Sequence, residues 1–149
     1  FFSALEAELE RGGEASEVYD QVVSIGELVS TLIVHAFAGT KGLRTRWLDA
    51  RALIATDSTY REGRVQWDKT TAQIRPLRGL LVQGEIIITQ GFIGANDEGK
   101  TTTLGRDGSD YSAAIFASCL EADSVTIWKD VPGVMSADPK RISNAVVFE

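Results

Sequence analysis

Cysteine is nearly absent from this 149-residue chain: Cys119 stands alone, so no intrachain disulfide can form, which fits a reducing compartment. Basic charge is also in deficit, with 15 Lys and Arg against 21 Asp and Glu and a net charge of −6. Nucleic-acid phosphates select for basic surfaces, so a nucleic-acid partner is not expected. The same deficit does not weigh against a small nucleotide, whose phosphates ask only for a local positive site and Mg²⁺. No uninterrupted apolar run approaches the length that spans a bilayer. No basic segment followed by an apolar stretch marks a signal peptide. The expectation is a soluble, cytoplasmic protein without a membrane partner. An initiator methionine is missing too: the chain opens Phe1-Phe2-Ser3 and stops at Val147-Phe148-Glu149. Neither end reads as a natural terminus, and an internal piece of a longer protein is expected.

What is present is ordinary for a globular domain, with 44% apolar and 24% charged residues and length enough for one compact core. No internal repeat or low-complexity tract interrupts it. Residues 22–37 repeat apolar side chains at helical spacing through Val22, Ile25, Val29, Leu32, Ile33 and Ala36, and Gly39 and Gly42 can end that helix. Residues 43–48 alternate and read as a strand, 49–54 as a short helix, and 56–63 as a polar turn. Residues 67–77 are helix-like, with Pro76 expected to end or kink them. In the second half, 85–90, with Ile86-Ile87-Ile88, read as a buried strand and 94–99 as a turn. A returning strand at 101–104 follows. A helix over 109–121 is expected to be capped by Ser109 or Asp110. Residues 124–128 form another β-rich run, predicted to be a buried strand ending at Asp130 before the turn Val131-Pro132-Gly133. Helices alternating with buried strands predict an α/β fold with a largely parallel sheet between helix layers.

One phosphate-binding motif is present in letters only. Residues 94–101, Gly-Ala-Asn-Asp-Glu-Gly-Lys-Thr, match the P-loop pattern G-x-x-x-x-G-K-[ST]. A P-loop must open directly into a helix whose N–H groups hold the phosphates. Here Lys100 leads into Thr101-Thr102-Thr103, which is β-rich, and Asp97 and Glu98 would repel an anion. Asn96, Asp97 and Gly99 suit a turn between two strands.

Three other segments carry chemistry. Gly105-Arg106-Asp107-Gly108-Ser109-Asp110 runs into a helix start, where unpaired N–H groups and a partial positive charge favour anions, and Arg106 adds a planar fork for carboxylate or phosphate. An ordinary capped helix after a glycine-rich turn explains the pattern equally well. Ile127 to Gly133 and then Ala137-Asp138-Pro139-Lys140 lie beyond a predicted strand end, the place where open α/β sheets bind ligands. A plain strand end with Asp-Pro punctuation is the alternative. Ser24-Ile25-Gly26-Glu27 reads as a helix start, for which capping alone would account.

Taken together, Ile88-Thr89-Gln90-Gly91-Phe92-Ile93-Gly94, the run from Thr102 through Gly105-Arg106-Asp107-Gly108-Ser109-Asp110 to Ala114, and Trp128-Lys129-Asp130-Val131-Pro132-Gly133-Val134 closely resemble the aspartate kinases, in order and spacing. The resemblance runs from about Val23 to Glu149. It implies an amino-acid kinase fold, a three-layer αβα sandwich around a mainly parallel sheet, of which residues 1–149 would be part of a single catalytic domain. The implied activity is transfer of the γ-phosphoryl group of ATP to the side-chain carboxylate of L-aspartate, the first step toward lysine, threonine and methionine. Position by position, the resemblance gives Glu27 the substrate ammonium, Arg106 the α-carboxylate with Ser109 assisting, and Phe92 a wall of the aspartate pocket. Asp110 matches a catalytic aspartate. Lys129, Asp130, Met135, Asp138 and Lys140 fall at or near nucleotide contacts, Met135 at a position that can be aromatic in the family. Mg²⁺ would arrive with the ATP, and no separate metal site is implied. The full-length protein would be a homo-oligomer. The lone His35 is not needed, because a carboxylate nucleophile requires no strong base. The family's Lys-Phe-Gly-Gly loop has no counterpart before Val22, and its regulatory ACT modules would lie beyond Glu149, so the 149 residues alone are expected to be inactive. Another amino-acid kinase, of glutamate or acetylglutamate type, and a non-catalytic nucleotide-binding or assembly module are the rival readings. A P-loop phosphohydrolase is the weakest of them.

Overall fold

In a computed structural model of the chain, the described residues are Ser3, Glu6, 14–129 and 133–148. The first long element is helix α1, Ala15–Thr40, which starts seven residues before the predicted helix. The largely polar residues 15–21 belong to it because one side of the helix there is occupied by charge that finds partners. Glu17, Asp20 and Ser24 are buried along the same stripe as Leu28, at the spacing that places side chains above one another. Ser24 and Glu27 therefore sit in mid-helix and cap nothing, in contrast to the helix-start reading. Lys41 closes the helix, its N–H donating to the carbonyls of Ala38 and Gly39, with Gly42 following at φ 74°.

The opposite side of α1 leaves Ile33, Val34 and Phe37 exposed. By length and composition this helix could cross a bilayer, its most apolar stretch reaching a mean hydropathy of 1.7. The expectation that no segment reaches that length is corrected accordingly. It counted uninterrupted apolar residues, whereas Asp20, Ser24 and Glu27 interrupt a helix whose average remains apolar.

Strand β1, Thr45–Trp47, pairs in parallel with β2, Ile86–Ile88, in the register Thr45–Ile86, Arg46–Ile87 and Trp47–Ile88. Arg46 and Glu85 tie the pair together at 2.7 Å across the exposed edge. Strand β3, Ile93–Ala95, turns back on β4, Thr101–Thr103, as an antiparallel hairpin. A parallel bridge from Ala55 to Ala95 joins the hairpin to the segment after β1. Residues 49–54 are the short helix expected, a 3-10 turn over Ala50–Ala52 capped by Asp49, which accepts the Arg51 N–H at 2.9 Å. Helix α2, Trp67–Ile74, passes at Pro76 into a 3-10 turn and continues as α3, Arg78–Val82. Pro76 lacks the N–H that an α-helix needs and tightens the turn without ending the helical path. Helix α4 spans Gly108–Leu120.

Helices meet the strands through two clusters. Leu28 of α1 packs with Ala50 and Ile93, flanked by Trp47 and Phe92. Ile74 of α2 and Ile115 and Cys119 of α4 pack with Leu53, Ile54 and Leu104. This is the α/β arrangement expected, with its parallel component in β1–β2 and the Ala55–Ala95 bridge.

Two strand expectations change. Ile86 of β2 is half exposed, because the strand pairs only with β1 among the described residues. Residues 124–129 form no strand and are exposed, Trp128 to 91%. Val125 and Ile127 alternate as a strand should, but no neighbouring ladder takes their N–H and C=O groups among the described residues, and β propensity without a partner is weak.

Candidate functional site

The hairpin settles the P-loop question. Asn96 Oδ1 accepts the N–H groups of Glu98 and Lys100 at 3.1 and 2.9 Å, closing a turn between β3 and β4, and no helix follows Lys100. The Lys100 ammonium is engaged elsewhere, 3.0 Å from Glu17 of α1. The Lys100 hydrogen bond holds the Glu17 carboxyl below the usual glutamate range, and Glu17 in turn raises Lys100.

At the end of β2 the chain crosses from the sheet to the hairpin through Gln90. Its side chain is buried, with both its oxygen and its nitrogen hydrogen-bonded. Oε1 accepts the Ala50 N–H at 2.8 Å, and Nε2 donates at 2.7 Å to the Thr31 hydroxyl, which also accepts from Trp47 Nε1 at 3.0 Å. This cross-link fixes where Gly91 and Phe92 emerge. Phe92 has φ 72°, a left-handed conformation unusual for a bulky residue. It is held by its N–H donating to Ser112 Oγ at 2.8 Å and its carbonyl accepting the Leu104 N–H at 2.8 Å. Ser112 Oγ donates onward to the Gly108 carbonyl at 2.9 Å, so the first turn of α4 and the 91–92 turn form one unit.

Gly91 and Gly108 permit the contact. A Cβ on Gly108 would lie 2.8 Å from the Phe92 ring, and one on Gly91 would lie 3.0 Å from Ser109. Gly108 is thus required by chain-on-chain packing. Helix α4 begins one residue earlier than expected: Asp107, at φ 56°, is its N-cap and makes no side-chain cap bond. Ser109 and Asp110 stand in the first turn, so the expectation that one of them caps the helix is corrected.

Two cavities open at this helix start. One, of about 550 Å³, is lined by Tyr19, Arg61, Glu62, Phe92, Thr103, Gly105 and Arg106. The Arg106 side chain is 96% exposed, with Asp107 3.8 Å away. The second, of about 560 Å³, is lined by Asp110, Lys129 and Gly133 together with Thr126, Ile127, Trp128 and Val134. Lys129 Nζ is 2.9 Å from Asp110 Oδ2. Phe92 and Arg106 therefore share one cavity, Asp110 and Lys129 the other, and Ser109 lies beside Gly91. Glu27 lines neither; it is half-buried on the α1 stripe, next to Leu28 of the Phe92 cluster. Met135 bridges Val147, and Asp138 Oδ1 accepts the Lys140 N–H at 2.9 Å; none of the three is among the residues lining the two cavities. Asp130 lies outside the described residues.

The motifs did not reveal Asp20. It is fully buried and gathers three donors: the N–H groups of Thr103 and Arg61 at 2.8 Å each on Oδ2, and the Thr103 hydroxyl at 2.9 Å on Oδ1. An acidic residue at i+3 from Glu17 and i−4 from Ser24, on an otherwise apolar helix, was the available signal.

The α/β core thus carries two cavities near one glycine-rich helix start, one lined by Arg61, Glu62 and Arg106 and the other by Asp110 and Lys129 among apolar side chains. The model of the amino acid kinase family matches residues 2–149, and the chain belongs to that family. It is 42% identical over 128 residues to the lysine-sensitive aspartokinase 3 of Escherichia coli strain K12, covering 85% of this chain and 28% of that protein. An aspartokinase of Chlamydia pneumoniae is also 42% identical, over 127 residues and the same shares. In structure, E. coli aspartokinase III in complex with aspartate and ADP, in its R-state, superposes with a TM-score of 0.89 at 36% identity, covering 99% of this chain and 33% of that one. The chain thus spans about a third or less of the length of these relatives.

Proposed function

We propose that the chain is part of the catalytic domain of an aspartate kinase, which transfers the γ-phosphoryl group of ATP to the side-chain carboxylate of L-aspartate. The observation that carries this reading is the pair of cavities at the start of α4, one holding Phe92 and Arg106, the other Asp110 and Lys129. Similarity to a protein crystallised with both aspartate and ADP supports it.

In this reading the Arg106 fork takes the substrate α-carboxylate, assisted by Ser109, Glu27 pairs with the ammonium, and Phe92 forms the wall through its pinned backbone. The free carboxylate attacks phosphorus, the bond to the β-phosphate oxygen breaks, and ADP leaves with that electron pair while an acyl phosphate remains. The protein's part is positioning and neutralising charge. Asp110 orients Lys129 within the second cavity. Lys129, with Asp130, Met135, Asp138 and Lys140, forms the nucleotide side. In this reading Mg²⁺ is carried by the nucleotide, where it neutralises phosphate charge. The full-length protein would act in the cytoplasm as a homo-oligomer, to which the bare apolar side of α1 is suited.

The test is Arg106→Ala in the protein expressed from its full reading frame. The KM for L-aspartate should rise by about ten-fold or more, as for a lost charged hydrogen bond, with the KM for ATP nearly unchanged. Equal losses for both substrates would remove Arg106 from its assigned role.

A further inference from the structure

The aspartate-side cavity contains a second guanidinium that none of the recognised motifs includes. Arg61 lines it, as does the next residue, Glu62. The backbone of Arg61 has φ 69°, a left-handed conformation that a non-glycine residue keeps only when its surroundings impose it. Here the surroundings are α1. Asp20 accepts the Arg61 N–H at 2.8 Å, and the Arg61 guanidinium lies 4.8 Å from the centroid of the Tyr19 ring. Backbone and side chain are thus held by adjacent residues of one helix.

The rest of the loop is braced as well. Asp57 Oδ1 accepts the N–H groups of Thr59 and Arg64 at 3.0 Å each, and the Gly63 N–H donates to the Thr103 carbonyl at 2.8 Å. A flexible surface arginine needs none of this. The cavity as a whole presents two guanidinium groups, Arg61 and Arg106, and one carboxylate, Glu62. Two guanidinium groups in one cavity are the complement of a molecule with two carboxylates.

We infer that Arg61 is a specificity-determining residue that binds the carboxylate Arg106 does not hold, so that the cavity selects a dicarboxylic amino acid. The inference rests on the reading of this cavity as the amino-acid site. The planar fork of Arg61 suits a carboxylate. Its stacking on Tyr19 pre-orders the side chain, which lowers the entropy lost on binding.

The experiment is calorimetric titration of L-aspartate and of MgADP into the protein from its full reading frame, as wild type, Arg61→Gln, Arg61→Lys and Arg106→Ala. The expected result is an L-aspartate Kd raised about ten-fold or more in Arg61→Gln, partly recovered in Arg61→Lys, with MgADP within about two-fold of wild type. The side chain is exposed, so the melting temperature should stay within about 2 °C. Loss of L-aspartate binding in Arg106→Ala but not in Arg61→Gln overturns the inference and leaves the site reading standing. Unchanged binding in both overturns the site reading as well. A parallel loss of L-aspartate and MgADP in Arg61→Gln would assign Arg61 a purely structural role and overturn the inference.

Discussion

Replacing Asp20 by asparagine tests how the α1 stripe builds the site. Asp20 is fully buried and closes the outer edge of β4, taking the Thr103 N–H at 2.8 Å, the Thr103 hydroxyl at 2.9 Å and the Arg61 N–H at 2.8 Å. Asparagine can keep its carbonyl oxygen on the two N–H groups and turn its amide toward the Thr103 hydroxyl, which can then accept. What is lost is the charged character of the acceptor, a difference of about 1–2 kcal/mol summed over the site. Alanine would strand the buried Thr103 N–H altogether and cost about 2–4 kcal/mol, the Arg61 N–H being near enough to solvent to find water. At roughly 2–4 °C per kcal/mol for a chain of this size, Asp20→Asn should melt about 2–8 °C below wild type, and Asp20→Ala lower still. The assay is a thermal melt followed by tryptophan fluorescence, with L-aspartate affinity measured on the same samples below the transition. Affinity should fall together with stability, because the same oxygen that closes β4 also sets the backbone of Arg61. An asparagine variant that melts with wild type and binds L-aspartate equally would refute the assignment of Asp20 as the anchor of both.

Lys100→Ala should leave ATP affinity within about two-fold of wild type, since Lys100 ends a hairpin turn and pairs with Glu17; a ten-fold loss in nucleotide titration would restore the P-loop reading. Because the folded Glu17 carboxyl is lowered, its contribution is present above the ordinary glutamate value of about 4.3 and is lost as pH falls through the still lower folded value. Glu17→Gln should accordingly flatten the acid side of the stability profile, and superimposable acid melts for variant and wild type would contradict the bridge. Asp110→Asn removes the 2.9 Å ion pair with Lys129 and should lower kcat about 10²-fold or more with smaller changes in either KM, measured by coupled ADP release. A kcat near wild type would place Asp110 outside the chemistry.

Much of the fold can be read in the chain because it depends on local pattern. Apolar spacing over 22–37 marks α1, Asn96-Asp97-Glu98-Gly99 marks the hairpin turn, and the glycine-rich run to Asp110 marks the start of α4. Rejecting the P-loop likewise needed only the β-rich threonines after Lys100. The misreadings have one cause, that a residue's role depends on what is opposite it. Residues 124–129 alternate as a strand does, yet no ladder receives them among the described residues, and Ser24 and Glu27 resemble a helix start although the charged turn before them is already helical.

The sequence alone determined the α/β class, the family resemblance and the pairing of Arg106 with a helix start, since each rests on residue types at short spacing. Only the tertiary structure decided that Gly108 serves the Phe92 ring, that Asp20 holds β4 and Arg61 together across 41 and 83 positions of chain, and that Arg61 and Arg106 face one cavity. Those contacts join residues far apart in the chain, and no local propensity encodes which distant donor a buried carboxylate will meet.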